Sequence, residues 1–184
     1  MPSSKQRGRA GTTCRGTSCR MCTDVACAKN YNGRRREPMT KKGQGYRVLV
    51  ADDEPEVIDL VRMMLEWEGY RVIEAVDGAE AVERARQDEP DLILLDVRMP
   101  KMTGLGVLDR LASAPETSQI PVIMLSVVTT YPEVRQALER GAVAYLPKPF
   151  EMREMVHMVE RVLSIDSAGR DQLRQRALES IGKP

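Results

Sequence analysis

The sequence has few aromatic residues, a single histidine and no long hydrophobic run. Only 4% of its 184 residues are aromatic, with one tryptophan and one phenylalanine among them. No apolar run approaches the roughly 18–20 residues that a membrane-spanning helix requires, so we predict no membrane insertion. The amino terminus is basic but has no apolar segment of the secretory-signal type. These features together predict a cytoplasmic protein.

Cysteine is absent after residue 45, so disulfides have no part in folding residues 46–184. All four cysteines lie in the first segment, at Cys14, Cys19, Cys22 and Cys27. Four thiolates at this spacing could bind zinc or an iron–sulfur cluster. Incidental cysteines without a metal are favoured, because no apolar shell surrounds them. An alternative start at Met39, which would remove all four, also stays open.

Charge divides the chain into three segments. Residues 1–45 contain 11 Lys and Arg but only 2 Asp and Glu, whereas the rest of the chain is acidic. The composition of residues 1–45 predicts a basic, disordered arm, and nucleic acid is not the expected partner. Residues 46–164 form the predicted domain. Residues 165–184 are a short polar tail in which a weak helix could form.

Hydrophobic patterning predicts an α/β fold. Short apolar strands are predicted at 46–51, 70–75, 91–96, 120–126 and 142–146, and helices at 55–68, 78–87, 105–111, 131–140 and 150–163. Strands that alternate with helices indicate a parallel sheet covered on both faces. We therefore predict a doubly wound, five-stranded parallel sheet of flavodoxin-like order 2-1-3-4-5, with its site at the carboxyl ends of the strands.

Polar residues follow four of these strands. Asp52 and Asp53 come after the first, Asp96 ends the third, Ser126 ends the fourth and Lys148 follows the fifth. Converging carboxylates repel one another unless a cation joins them, and hard oxygen ligands suit Mg²⁺. A carboxylate beside Mg²⁺ can attack a phosphoryl group, whose oxygens a lysine and a serine could then contact. Each residue alone is better explained as a cap, a loop residue or, for Lys148, a solvated surface charge, but the combination is not.

Four stretches, VLVADDEP, PDLILLDVRMPKMTGL, IPVIMLS and GAVAYLPKPF, resemble the receiver domains of response regulators. The resemblance extends over most of residues 46–150, and the final helix continues it to about 163. It implies that Asp96 accepts a phosphoryl group from a histidine kinase or a phosphotransfer protein. It also implies that Asp52, Asp53, Asp96 and the backbone carbonyl of Arg98 hold Mg²⁺.

The same resemblance assigns the remaining site residues. Ser126 would be the switch hydroxyl, Tyr145 the aromatic switch and Lys148 the phosphoryl contact, with a cis peptide at Lys148–Pro149. We expect a two-component response regulator that signals through phosphorylation-dependent protein–protein interaction with an unidentified target. We expect no output domain of its own and no dedicated enzyme activity. A phosphorylation-dependent homodimer stays open.

Two other classes of protein compete with this one. A Mg²⁺-dependent phosphohydrolase with an aspartate nucleophile would need a second aspartate two residues later, where this chain has Arg98. A degenerate receiver that binds partners without phosphorylation is disfavoured by the complete set of site residues. One departure from the family pattern is Val127, which stands where a small residue is usual. We expect its branched side chain to restrict access to Asp96.

Overall fold

The structure is a computed structural model that describes residues 45–127 and 131–181. The predictions for the cysteine-containing arm and for a start at Met39 therefore lie outside the described residues. Five strands and six helices make up the described part: β1 (Arg47–Ala51), α1 (Pro55–Trp67), β2 (Arg71–Ala75), α2 (Gly78–Asp88), β3 (Leu92–Asp96), α3 (Gly104–Ser113), β4 (Val122–Ser126), α4 (Tyr131–Glu139), β5 (Ala144–Pro147), α5 (Met152–Ser164) and α6 (Ser167–Ile181).

All strand pairs are parallel, and the sheet order is β2-β1-β3-β4-β5. The predicted order 2-1-3-4-5 is therefore confirmed. The central strands β3 and β4 are buried along their whole length. This explains why they are continuously apolar in sequence, since both faces of a parallel sheet are covered by helices.

The hydrophobic core lies on both faces of the sheet. Alternate strand residues such as Val50 and Leu94 pack with α1 and α5 on one face. Their sequence neighbours Leu49 and Leu95 pack on the other face in a second cluster, which includes residues of α2, α3 and α4. The period-2 alternation of a strand produces this division, because successive side chains point to opposite faces.

Local sequence determines where several helices begin and end. Pro55 opens α1, where its missing N–H costs no helical hydrogen bond. Gly69 follows α1 with φ of +93°, a left-handed conformation that glycine adopts without steric cost. Asp77 caps α2 by accepting hydrogen bonds from the backbone of Ala79 and Glu80, each at 2.9 Å.

The tail forms a complete helix, α6, which contacts α4 and β5. Leu173 packs against the core cluster shared with α1 and α5, whereas Ala177, Leu178 and Ile181 pack against the other cluster. The tail, for which a weak helix was predicted, is therefore helical and packs against the domain, although none of its residues is fully buried. No helix among the described residues combines the length and apolarity needed to cross a bilayer.

Truncation of Leu94 should destabilise the domain. The side chain is fully buried between the strands and helices of its core cluster. Leu94→Ala should lower the free energy of unfolding by about 2–5 kcal/mol, measured by urea denaturation. Leu60→Ala is the matched control, because Leu60 is 47% exposed on α1 and its truncation should change stability by less than about 0.5 kcal/mol. Equal effects of the two substitutions would contradict the assigned core.

Tyr70 should make stability depend on pH in the alkaline range. Burial, with a smaller contribution from Glu160, raises the pKa of the Tyr70 phenol from 10.0 to about 12. The unfolded chain therefore loses this proton first, and stability falls as pH rises from about 10 to about 12. Wild type should lose on the order of 2 kcal/mol more than Tyr70→Phe across this window. Denaturant titrations at pH 9 and pH 12 measure the difference, and identical losses would refute it.

Candidate functional site

The polar residues predicted at the strand ends do meet at one edge of the sheet. Asp52 follows β1, Asp96 ends β3, Ser126 ends β4 and Lys148 follows β5. These four strands are consecutive neighbours in the sheet, so their carboxyl ends lie side by side. The Lys148–Pro149 peptide is cis, as the resemblance implied.

Lys148 joins two of the carboxylates directly. Its Nζ lies 2.5 Å from Oδ2 of Asp52 and 2.8 Å from Oδ1 of Asp96. The side chains are shielded from water, at 10% exposure for Lys148, 0% for Asp52 and 9% for Asp96. One ammonium group thus contacts two carboxylates that lie 96 and 52 positions before Lys148 in the sequence.

Charge and burial act in opposite directions on these groups. Burial lowers the pKa of Lys148. Its hydrogen bonds to Asp52 and Asp96 raise the pKa by more than burial lowers it, so the net shift is upward. The ammonium therefore stays charged at neutral pH. Burial raises the pKa of Asp52 above its ordinary value, although Lys148 and the Glu54 backbone oppose this. The ammonium thus limits the cost of burying this carboxyl group.

Backbone donors fix the remaining carboxylate oxygens. The Arg98 N–H donates to Oδ2 of Asp96 at 2.6 Å, and the Glu54 N–H donates to Oδ1 of Asp52 at 3.1 Å. Each of the four oxygens therefore accepts one hydrogen bond. This arrangement holds both carboxylates in a defined orientation before any ligand arrives.

A cavity of about 230 Å³ opens beside Asp96. Its lining residues are Asp53, Glu54, Asp96, Arg98, Val127 and Lys148. Asp52 is fully buried and does not line this cavity. The structure thus brings Asp53, Asp96 and Arg98 to one opening, while Asp52 and Asp96 are both in contact with Lys148.

The donor set of the cavity fits Mg²⁺. Among residues 45–127 and 131–181, no three His, Cys, Asp or Glu side chains form a ready-made metal cluster. Mg²⁺ does not require one, because it usually keeps several waters and binds through one or two carboxylates. Asp53 and Asp96 supply two carboxylates on an open cavity, so the prediction of a Mg²⁺ site at Asp52, Asp53, Asp96 and Arg98 stands as a prediction.

The two predicted switch residues are neighbours. Ser126 is 1% exposed at the end of β4, and Tyr145 is partly buried on the adjacent strand β5. Burial raises the pKa of the Tyr145 phenol, and the nearby Ser126 side chain opposes that shift only in part. The hydroxyl oxygen of Tyr145 is itself buried, so the ring points inward.

Sequence analysis missed one ion pair close to the site. Lys101 Nζ lies 2.5 Å from Oδ2 of Asp77, the residue that caps α2. The sequence offered one clue, since an aspartate before Gly78 at the start of an apolar helical pattern indicates a cap. Nothing in the sequence indicated Lys101 as the partner, because 24 positions separate the two residues.

The parallel sheet and the acidic cavity at its carboxyl edge define a doubly wound α/β protein with a polar ligand site. A family model described as the response regulator receiver domain matches residues 48–160. The chain belongs to this family, and the resemblance stated from sequence is confirmed.

Related proteins and solved structures agree with this assignment. The chain is 42% identical over 117 residues to the DNA-binding dual master transcriptional regulator RpaA of Synechocystis, covering 64% of this chain and 48% of RpaA. The transcriptional regulatory protein CpxR of Escherichia coli is also 42% identical, with 64% and 49% covered. Among solved structures, chemotaxis response regulator CheY4 of Vibrio cholerae matches with a TM-score of 0.61 and 31% identity, covering 64% of this chain and 98% of CheY4.

The expected mode of signalling is wrong. We expected a regulator without an output domain that acts only through protein–protein interaction. The chain spans about half the length of the curated relatives it matches, and several of these are named as DNA-binding or transcriptional regulators. The match covers only their receiver part. The expectation rested on the small size of the tail after residue 163, but a receiver fold is compatible with many outputs.

Val127 should limit how fast small phosphodonors reach Asp96. Its side chain is 54% exposed and lines the cavity with Asp96. Val127→Ala should raise the rate of modification by acetyl phosphate by about two- to fivefold, because a branched group leaves the entrance. Val76→Ala is the matched control, since Val76 is 52% exposed and does not line this cavity. Intact-mass kinetics measure both rates, and equal rates in wild type and Val127→Ala would remove the hypothesis.

Proposed function

We propose that this chain is the phosphoryl-accepting receiver of a two-component response regulator, with Asp96 as the acceptor. The observation that carries the proposal is the contact of Lys148 with both Asp52 and Asp96 beside an open, acidic cavity. A carboxylate held by a lysine and a backbone N–H, with one side open to the cavity, is a positioned nucleophile.

The transfer uses a carboxylate oxygen of Asp96. That oxygen attacks the phosphorus of a phosphohistidine on a histidine kinase or a phosphotransfer protein. A P–O bond forms, the P–N bond breaks, and the imidazole nitrogen leaves with the electron pair. Lys148 already donates to Oδ1 of Asp96, so a short movement of its ammonium brings it to an oxygen of the transferred group. Ser126 supplies a hydroxyl donor to a second oxygen.

The protein groups proposed to hold Mg²⁺ are the carboxylates of Asp53 and Asp96 and the backbone carbonyl of Arg98. Asp52 contributes indirectly, because its buried carboxylate holds the Lys148 ammonium. When bound, Mg²⁺ offsets the negative charge on the transferring phosphoryl oxygens. A similar solved structure supports this choice of metal, since it is a CheX–CheY–BeF₃–Mg²⁺ complex of Borrelia burgdorferi. It matches with a TM-score of 0.64 and 25% identity, covering 68% of this chain and 98% of that one.

Phosphorylation acts on the rest of the domain through Ser126 and Tyr145. Adding a phosphoryl group changes the charge next to Ser126, and the hydroxyl and its tyrosine neighbour rearrange together. We propose that the controlled output is DNA binding, because two of the curated relatives carry that activity in their names. The chain acts as a phosphoprotein in the cytoplasm and is not a dedicated enzyme.

The acceptor role predicts a specific pattern of phosphorylation. With a histidine kinase and Mg²⁺, wild type should incorporate one phosphoryl group, whereas Asp96→Asn should show only background. Asp53→Asn should still be modified, but should need roughly tenfold more Mg²⁺ for the half-maximal rate, since one metal-binding charge is lost. Radiolabel transfer across a Mg²⁺ titration measures both effects.

Asp91→Asn is the control for these variants. Asp91 lies before β3 at the opposite end of that strand and accepts from the Arg47 N–H at 2.7 Å, away from the cavity. It should behave as wild type in the transfer assay. Labelling of Asp96→Asn at the wild-type rate would contradict the proposal, and so would transfer to wild type that is indifferent to chelation of Mg²⁺.

A further inference from the structure

The loop between β3 and α3 is anchored to α2 by one ion pair. Asp77 uses one carboxylate oxygen to cap α2 and the other to accept from Lys101 in the loop at 2.5 Å. The Asp77 side chain is 6% exposed and that of Lys101 is 69% exposed. A largely exposed lysine therefore reaches back to a buried carboxylate whose position is fixed by the helix.

The backbone at Lys101 is unusual. Its φ is +62°, in the left-handed region that residues with a Cβ rarely adopt. The next residue closes a tight turn, with the Met102 N–H 2.6 Å from the Pro100 carbonyl. A lysine is thus held in a sterically unfavourable backbone conformation, and its ion pair supplies a compensating contact.

Close backbone approaches leave this loop little freedom. A Cβ added at Gly78 would lie 2.1 Å from the carbonyl oxygen of Met102, so the loop rests directly on the start of α2. A Cβ added at Gly104 would lie 2.1 Å from the carbonyl oxygen of Asp96. The Gly104 N–H also donates to the Val97 carbonyl at 2.9 Å. The loop is therefore in contact with α2 on one side and with the end of β3 on the other.

Arg98 lies in this loop, three residues before Lys101, and it contacts the site in two ways. Its backbone N–H donates to Oδ2 of Asp96 at 2.6 Å, and the residue lines the cavity. Any movement of the loop relative to α2 would shift Arg98 relative to Asp96. The Asp77–Lys101 pair opposes that movement from outside the cavity, since neither residue lines it.

We propose that Asp77 and Lys101 are positioning residues for the metal site, and that their ion pair fixes Arg98 relative to Asp96. The inference rests on the proposed function of the cavity as a Mg²⁺-dependent phosphoryl acceptor. The pair touches neither metal nor phosphoryl group. It acts through the loop, so it affects how tightly Mg²⁺ binds more than how fast the metal-saturated site reacts.

Lys101→Gly is the informative substitution. Glycine accepts the left-handed backbone without strain, so the variant removes the ammonium and keeps the turn. We expect the apparent Kd for Mg²⁺, from NMR titration of backbone amides, to rise about tenfold, comparable with the loss of an outer contact to a metal ligand. The rate of modification by acetyl phosphate at saturating Mg²⁺ should stay within about twofold of wild type. Lys101→Arg should bind Mg²⁺ like wild type.

Asp77→Asn completes the design, because asparagine caps a helix as well as aspartate does. It should weaken Mg²⁺ binding as Lys101→Gly does. The double variant should bind Mg²⁺ no more weakly than either single variant, since the two single variants and the double variant all lack the same ion pair. Unchanged Mg²⁺ affinity in Lys101→Gly would overturn the inference while leaving the proposed function intact, and so would additive losses. Failure of wild type to bind Mg²⁺ would overturn both.

Discussion

The ammonium group of Lys148 is the interaction on which the site depends. It joins Asp52, which follows β1, to Asp96 at the end of β3, and Lys148 itself follows β5. Burying two carboxylates to this extent without a cation would cost folding free energy, because burial disfavours the charged form. The lysine therefore makes the acidic edge of the sheet compatible with folding, and leaves Asp96 facing an open cavity.

The same contact explains why the fold and the chemistry are linked. Lys148 can reach both carboxylates only because parallel strands end at one edge in the order β2-β1-β3-β4-β5. Ser126 on β4 and Tyr145 on β5 complete the edge, and the hydroxyl oxygen of the tyrosine is already buried. A charge added at Asp96 would disturb the lysine bridge and the serine–tyrosine pair together, which provides a physical route from phosphorylation to conformational change.

Much of this was predictable from sequence, and the exceptions have clear causes. Continuous apolar strands and polar residues at their ends predicted the sheet, its order and the positions of Asp96, Ser126 and Lys148. Sequence could not show that Asp52 is buried and does not line the cavity while Asp53 lines it, because adjacent residues at a strand end differ only in the direction of their side chains. The packing of α6 against the domain was also hidden, since Leu173 and Leu178 pack against different core clusters and form no single apolar stripe.

The central claim is that Asp96, and no other carboxylate at this edge, receives the phosphoryl group. Borohydride reduction of the phosphorylated chain converts an aspartyl phosphate to homoserine, which peptide mass spectrometry can locate. We expect a single Mg²⁺-dependent conversion at residue 96. Conversion at Asp52 or Asp53 instead, or no conversion after phosphotransfer in the presence of Mg²⁺, would contradict the assignment.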